Sequence, residues 1–65
     1  MNLVEGIQEE LKRCRELRQM YEDIGPAGAF GKMVIDHSIK EGEAAIASGD
    51  VVRMMRAYAD LKQRE

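Results

Sequence analysis

Cysteine occurs once, histidine once, proline once and tryptophan not at all. A single cysteine excludes an internal disulfide, and one histidine beside one cysteine excludes a zinc site of the usual four-ligand kind. There is no surplus of positive charge. Ten Lys and Arg stand against twelve Asp and Glu, a net charge of −2. A general nucleic-acid binder carries a basic excess, so nucleic acid is not an expected partner. Long apolar runs are missing too. The longest is Ala44-Ala45-Ile46-Ala47, far short of the roughly 20 residues that span a bilayer. Glu5, Glu9 and Glu10 occupy the start where a signal peptide has a basic region. With a free cysteine and no export signal, the expected setting is the reducing cytoplasm.

What remains is short. Sixty-five residues make one domain, and a chain of that size buries only about 60% of its unfolded surface. Small scaffolds usually need staples, a metal or a partner. With the first two excluded, idealised helix packing or oligomerisation is left.

Two breaks divide the chain. Gly25-Pro26 joins a residue suited to the end of one helix to a residue suited to the first turn of the next. Ser48-Gly49-Asp50 repeats the pattern, with Asp50 as the N-cap. The sequence predicts helices at 2–24, 26–48 and 51–64, with no β-alternation, repeat or low-complexity tract. The fold class is all-α: a compact three-helix chain, a long hairpin plus a shorter third helix, in a single domain over 1–65, assembled into a homo-oligomer.

Each segment carries apolar residues at three- and four-residue steps. The first has Leu3, Val4, Ile7, Leu11, Cys14, Leu17, Tyr21 and Ile24. The third has Val51, Val52, Met54, Met55, Tyr58, Ala59 and Leu61, a Met-rich stripe that reads as core. The second segment has two strips. Its main face has a row of small residues, Ala27, Gly31, Ser38, Gly42 and Ala45. Glycine inside a helix costs roughly 1 kcal/mol against alanine. Close approach of another helix backbone offsets that; room for a ligand is the alternative. The second strip is Phe30, Met33, His37 and Ala44. It suggests contact with a second chain.

Helix lengths of about 23, 23 and 14 residues correspond to ~34, ~34 and ~21 Å. The third helix then stops ~13 Å short of the Gly25-Pro26 corner. Left open at that tip are Leu17, Met20, Tyr21, Ile24, Ala27, Phe30, Met33 and Val34. A contiguous apolar patch is rarely left in water, so the tips are expected to pair between copies, most often as a twofold dimer. Leu17, Met20, Ile24, Ala27, Met33, Val34 and His37 are the expected interface.

Arg18 falls inside the first apolar stripe and needs a partner. Three readings stand: an ion pair with Glu22 or with an acid of another chain, an anion-binding arginine helped by Tyr21, or a side chain that snorkels to water. The run Gly25-Pro26-Ala27-Gly28-Ala29-Phe30-Gly31-Lys32 is no Walker A loop. The first glycine of that motif would fall on Pro26, and Met33 stands where Ser or Thr binds magnesium. Lys32 is one turn into a helix whose N-terminal N–H groups attract anions. Arg18, Tyr21, Phe30 and Lys32 are thus the candidate residues for a ligand or partner.

His37 lacks convergent acid or thiol partners, so neither catalysis nor metal binding is expected of it. Cys14 reads as an inert buried thiol. Lys12, Arg13 and Arg15 alternate with Glu9, Glu10 and Glu16, a solvated face with pairs such as Glu9 to Arg13. No acid–base pair, activated nucleophile or metal cluster is present, so no enzyme, cofactor or metal is expected.

The segments GPAGAFG, AAIASGD and RAYADLK, between Gly25 and Lys62, resemble small uncharacterised products of bacteriophage and prophage genomes. The resemblance covers a little over half the chain. It implies an accessory protein that acts on a host component by binding. Inhibitors of host regulators and oligomeric sponges for nucleotide signals are such proteins. Two expectations follow: a helical oligomer that blocks a host protein, or an oligomer that sequesters a small anionic ligand between subunits near the 25–26 corner.

Overall fold

The computed structural model describes residues 2–65. They form three helices, α1 (Leu3–Ile24), α2 (Ala29–Ser48) and α3 (Val51–Lys62), with a 3₁₀ turn over Pro26–Gly28. There is no strand among the described residues.

The ends of the helices follow local chemistry. Asn2 lies outside α1 and caps it: its Oδ1 accepts the Glu5 N–H at 2.8 Å, satisfying one of the donors a helix start leaves free. Gly25 and Gly49 close α1 and α2 at φ +86° and +69°, a region that only glycine enters without strain. Asp50 caps α3 by accepting the Arg53 N–H at 3.1 Å.

Two boundaries differ from expectation. The second α-helix begins at Ala29 rather than at 26, because the chain must first turn hard against α1. The Gly28 N–H reaches back to the Gly25 carbonyl at 2.9 Å, and Gly28 is buried against the Tyr21 backbone. The third helix ends at Lys62 rather than 64. There the Gln63 and Arg64 N–H groups bond the Asp60 and Leu61 carbonyls, tightening the end to three-residue spacing.

The helices run up, down and up, and each packs on both others. Three side chains from each meet in the core: Ile7, Leu11 and Cys14; Ile35, Ile39 and Ala45; Met54, Ala57 and Leu61. The small residues of α2 work within the chain. The Tyr21 ring lies on Gly31, and Gly42 sits between Leu11 and Leu61. Side chains, not the backbone expected, fill the space over these two glycines. Ala27 belongs to the turn and is exposed.

The apolar stripe of α3 is wider than the wedge it buries. Met54 and Leu61 are in the core with Ala57, while Val51, Val52, Met55 and Ala59 remain exposed. One helix held by two neighbours can hide only about a third of its circumference. At the hairpin tip, Leu17 and Tyr21 pack on the core and Val34 is half-buried. These three are covered by their own chain, contrary to expectation. Met20, Ile24, Phe30 and Met33 are open, at 62%, 60%, 74% and 60% exposure.

Candidate functional site

The three seams between the helices differ, and the difference defines where something else can sit. The α1–α2 seam is laced with charge. Arg15 meets Glu43 at 2.9 Å, Arg18 meets Asp36 at 2.6 Å, and Lys32 meets Glu22 at 3.2 Å. Lys40 adds a second cation to Asp36 at 3.0 Å. Arg18 therefore pairs across the hairpin with Asp36, not with Glu22, which Lys32 occupies. Lys40 and Arg18 together hold the Asp36 carboxyl below its usual range.

The α1–α3 seam is closed by Arg13. Its guanidinium donates to the Leu61 and Arg64 carbonyls, each at 2.7 Å, and its Nε bonds Glu10 at 3.0 Å. It does not pair with Glu9. Exposed, as expected of a solvated face, it also caps the last turn of α3, where free carbonyls and the negative end of the helix dipole favour a cation. Beneath it, the Cys14 thiol donates to the Leu61 carbonyl at 3.6 Å, and burial pushes its pKa up. That fits the inert thiol read from the sequence.

The α2–α3 seam is recessed. A cleft of about 590 Å³ is lined by His37 and Glu41 of α2 and by Val52, Arg53, Arg56 and Ala57 of α3, among others. It shares His37 with a smaller hollow floored by Met33, Val34 and Arg64. That hollow shares Val34 and Arg64 with a third, where Tyr21 and Phe30 face the chain's last residues. The three hollows lie in a row along a shallow groove beside α3, which is crossed where Arg53 meets Glu41 and where Arg64 meets Ser38.

Of the acids along the groove, Glu41, Asp60 and Asp50 are engaged, while the Glu65 carboxylate has no side-chain partner among the described residues. Arg53 grips Glu41 with two bonds, at 2.8 and 2.9 Å, and this lowers the Glu41 pKa. Arg64 takes Asp60 at 2.6 Å and the buried Ser38 hydroxyl at 2.8 Å. Asp50 is the cap of α3. Arg56 has no ion pair or hydrogen bond among the described residues.

The four residues expected at an anion site do not converge within one chain. Tyr21 and Phe30 line the lower end of the groove, where the Tyr21 hydroxyl donates to the Glu65 carbonyl at 2.8 Å. Arg18 and Lys32 are held by Asp36 and Glu22 on the other seam. Of the expected interface, Met20, Ile24, Ala27, Met33 and His37 are exposed. Val52, expected in the core stripe of the third helix, instead lies exposed in the cleft; Arg56 was not singled out as a site residue. Arg56 sits opposite the apolar stripe of its helix, which marks an outward position but not the groove beside it.

Among the described residues, no three His, Cys, Asp or Glu side chains group closely enough to hold a metal. No helix is long and apolar enough to cross a membrane. No protein-family model, curated protein or solved structure matches the chain.

The paired acids set a pH dependence. Asp36 and Glu41 both titrate lower in the folded chain than their ordinary 3.8 and 4.5. The unfolded chain therefore binds protons first on acidification. Their contribution is complete above the ordinary values and is lost as pH falls through the folded ones. Denaturant titrations should show stability falling between about pH 5 and pH 3. Asp36→Asn and Glu41→Gln together should flatten that fall; an acid limb of unchanged slope would put it on other carboxylates.

Proposed function

We propose that this protein is a non-enzymatic helical binding protein that pairs with copies of itself through the hairpin tip and acts by occupying a partner protein. The exposure of Met20, Ile24, Phe30 and Met33 on the two helices that meet at the Gly25 corner carries this reading. At roughly 200 Å² per large side chain, their exposed surface is on the order of 500 Å², the upper end of what a monomer leaves in water. Paired across a twofold axis, the patches bury about 1,000 Å² in total, the lower bound of a specific interface. The expected assembly is a dimer of moderate strength. The resemblance of the 25–62 stretch to small phage products is what supports a cytoplasmic host component as the proposed partner. A sponge for an anionic nucleotide has less support, since Arg18 and Lys32 are engaged by carboxylates away from Tyr21 and Phe30.

Sedimentation equilibrium tests the self-association. The wild-type chain should sediment as a multiple of 7.4 kDa at micromolar concentration. Met20→Lys with Ile24→Lys should raise the dissociation constant roughly a hundredfold, as the loss of two apolar anchors at ~1–2 kcal/mol each. Neither change harms the fold, because α1 has no basic residue in its last turn and a cation suits that end of a helix. A wild-type monomer at high micromolar concentration would remove this reading.

A further inference from the structure

We infer that residues 63–65 form a strap across the hairpin tip, and that a second copy of this chain takes the strap's place when the tips pair. The inference rests on the self-association reading above and gives it a control. Beyond Lys62 the chain is no longer helical, yet side chains hold it from both sides. Arg13 of α1 donates to the Arg64 carbonyl at 2.7 Å, and the Tyr21 hydroxyl donates to the Glu65 carbonyl at 2.8 Å. The Arg64 guanidinium turns the other way. It donates to Ser38 of α2 at 2.8 Å and back to Asp60 at 2.6 Å. The strap therefore touches both helices of the hairpin at a level that α3 does not reach.

What lies beneath it is apolar. The strap encloses a hollow of about 180 Å³ with Tyr21, Phe30, Val34 and Ile35. On its other side Arg64 borders a second hollow with Met33 and Val34. Phe30 and Met33 belong to the exposed tip patch. With the strap lifted, Tyr21 and Val34 join them in one continuous apolar surface. The strap thus accounts for part of the cover over two residues that the sequence places at an open tip.

The balance of forces makes the strap the part that yields. Its bonds from Arg13 and Tyr21 lie at the surface, where water replaces a lost hydrogen bond at little net cost. Ser38 keeps a local alternative, because a helical serine hydroxyl can bond the carbonyl four residues back. A short non-helical segment beyond a helix is also among the first to open. Apolar surface has no such substitute in water. The area argues for a second copy as the occupant. The exposed tip by itself buries about 1,000 Å² in a twofold pair, the lower bound of a specific interface. The surface under the strap is continuous with that tip and raises the total.

Sedimentation equilibrium of the full chain is the test. Tyr21→Phe with Arg64→Ala removes anchors of the strap and leaves an aromatic ring on Gly31. The pair of changes should lower the dissociation constant about tenfold, the effect of one further apolar anchor. The gain should vanish when Met20→Lys and Ile24→Lys are added. A measurement on the unaltered chain stands beside it, in case the double variant loses α3. As the labelled wild type is concentrated through its dissociation constant, the Arg64 and Glu65 amide shifts should move in step with those of Phe30 and Met33. Pairing that is unchanged or weaker in the strap variant, a gain that survives the tip lysines, or strap amides that stay still while tip amides move would each overturn the strap. The two readings separate. A wild-type dimer whose strap variant pairs no more tightly keeps the tip interface and removes the strap. A wild-type monomer whose strap variant pairs keeps the strap and removes the tip reading for the closed chain. Monomers throughout remove both.

Discussion

Gly28→Ala is expected to remove a large share of the chain's stability. A methyl group at residue 28 would stand 2.2 Å from the Tyr21 carbonyl oxygen and 3.1 Å from its carbon. Both are backbone atoms of the last turn of α1, so neither can swing aside as a side chain can. Relief requires α1 and α2 to separate at the corner, which draws Tyr21 off Gly31. Overpacking of this kind costs roughly 1–3 kcal/mol, and more where backbone must move. A chain of this length has about 3–10 kcal/mol of stability in all. The midpoint of a denaturant or thermal titration followed by circular dichroism reads the loss. Wild-type stability in Gly28→Ala would mean that the corner yields more easily than its contacts indicate.

Leu61→Ala should be as damaging, by the opposite route. Leu61 is fully buried and is the last core side chain of a helix only twelve residues long. Its methyl touches the space over Gly42, which has no side chain with which to fill the gap. The expected cost is about 2–5 kcal/mol, the transfer of the lost methyls plus a cavity that cannot collapse. Chemical denaturation checks it. The same residue's carbonyl receives Arg13 and Cys14, so a loosened Leu61 also releases the cap on α3. A second variant, Met54→Ala, lies nearer the start of α3 and is 8% exposed. It should cost less. Equal losses in the two would mean that the end of α3 is no special anchor.

How far the sequence carries can be judged from particular residues. Gly25-Pro26 and Ser48-Gly49-Asp50 marked both turns, because a helix end depends on a few neighbouring residues. The row of small residues in α2 was equally plain, but its partners were not. Leu11, Tyr21 and Leu61 are ten to thirty-one positions away from Gly42 or Gly31, and local spacing does not reach that far. The partners of Arg13 at the end of α3 were missed for the same reason. On a helical wheel it belongs to the water-facing side, and only the arrival of α3 turns that side into a seam. Arg18 stood out correctly as a charge in an apolar stripe, yet its acid lies on α2, beyond any four-residue rule. The groove is a property of two helices side by side. Arg56 beside it differs from the other arginines in having no carboxylate partner among the described residues.

The shortness of α3 bears on the chain's timekeeping. Twelve residues make a helix too short to persist alone in water, so α3 holds its shape only while it lies on the hairpin. Its release is the natural low-energy opening of the molecule, since it separates one helix from a pair that stays joined by ion pairs across its own seam. Every such event bares Cys14, which α3 otherwise covers through Leu61. The sole thiol of the chain is thus gated by its shortest helix, and its reactivity toward an alkylating reagent is a clock for how often that helix lets go.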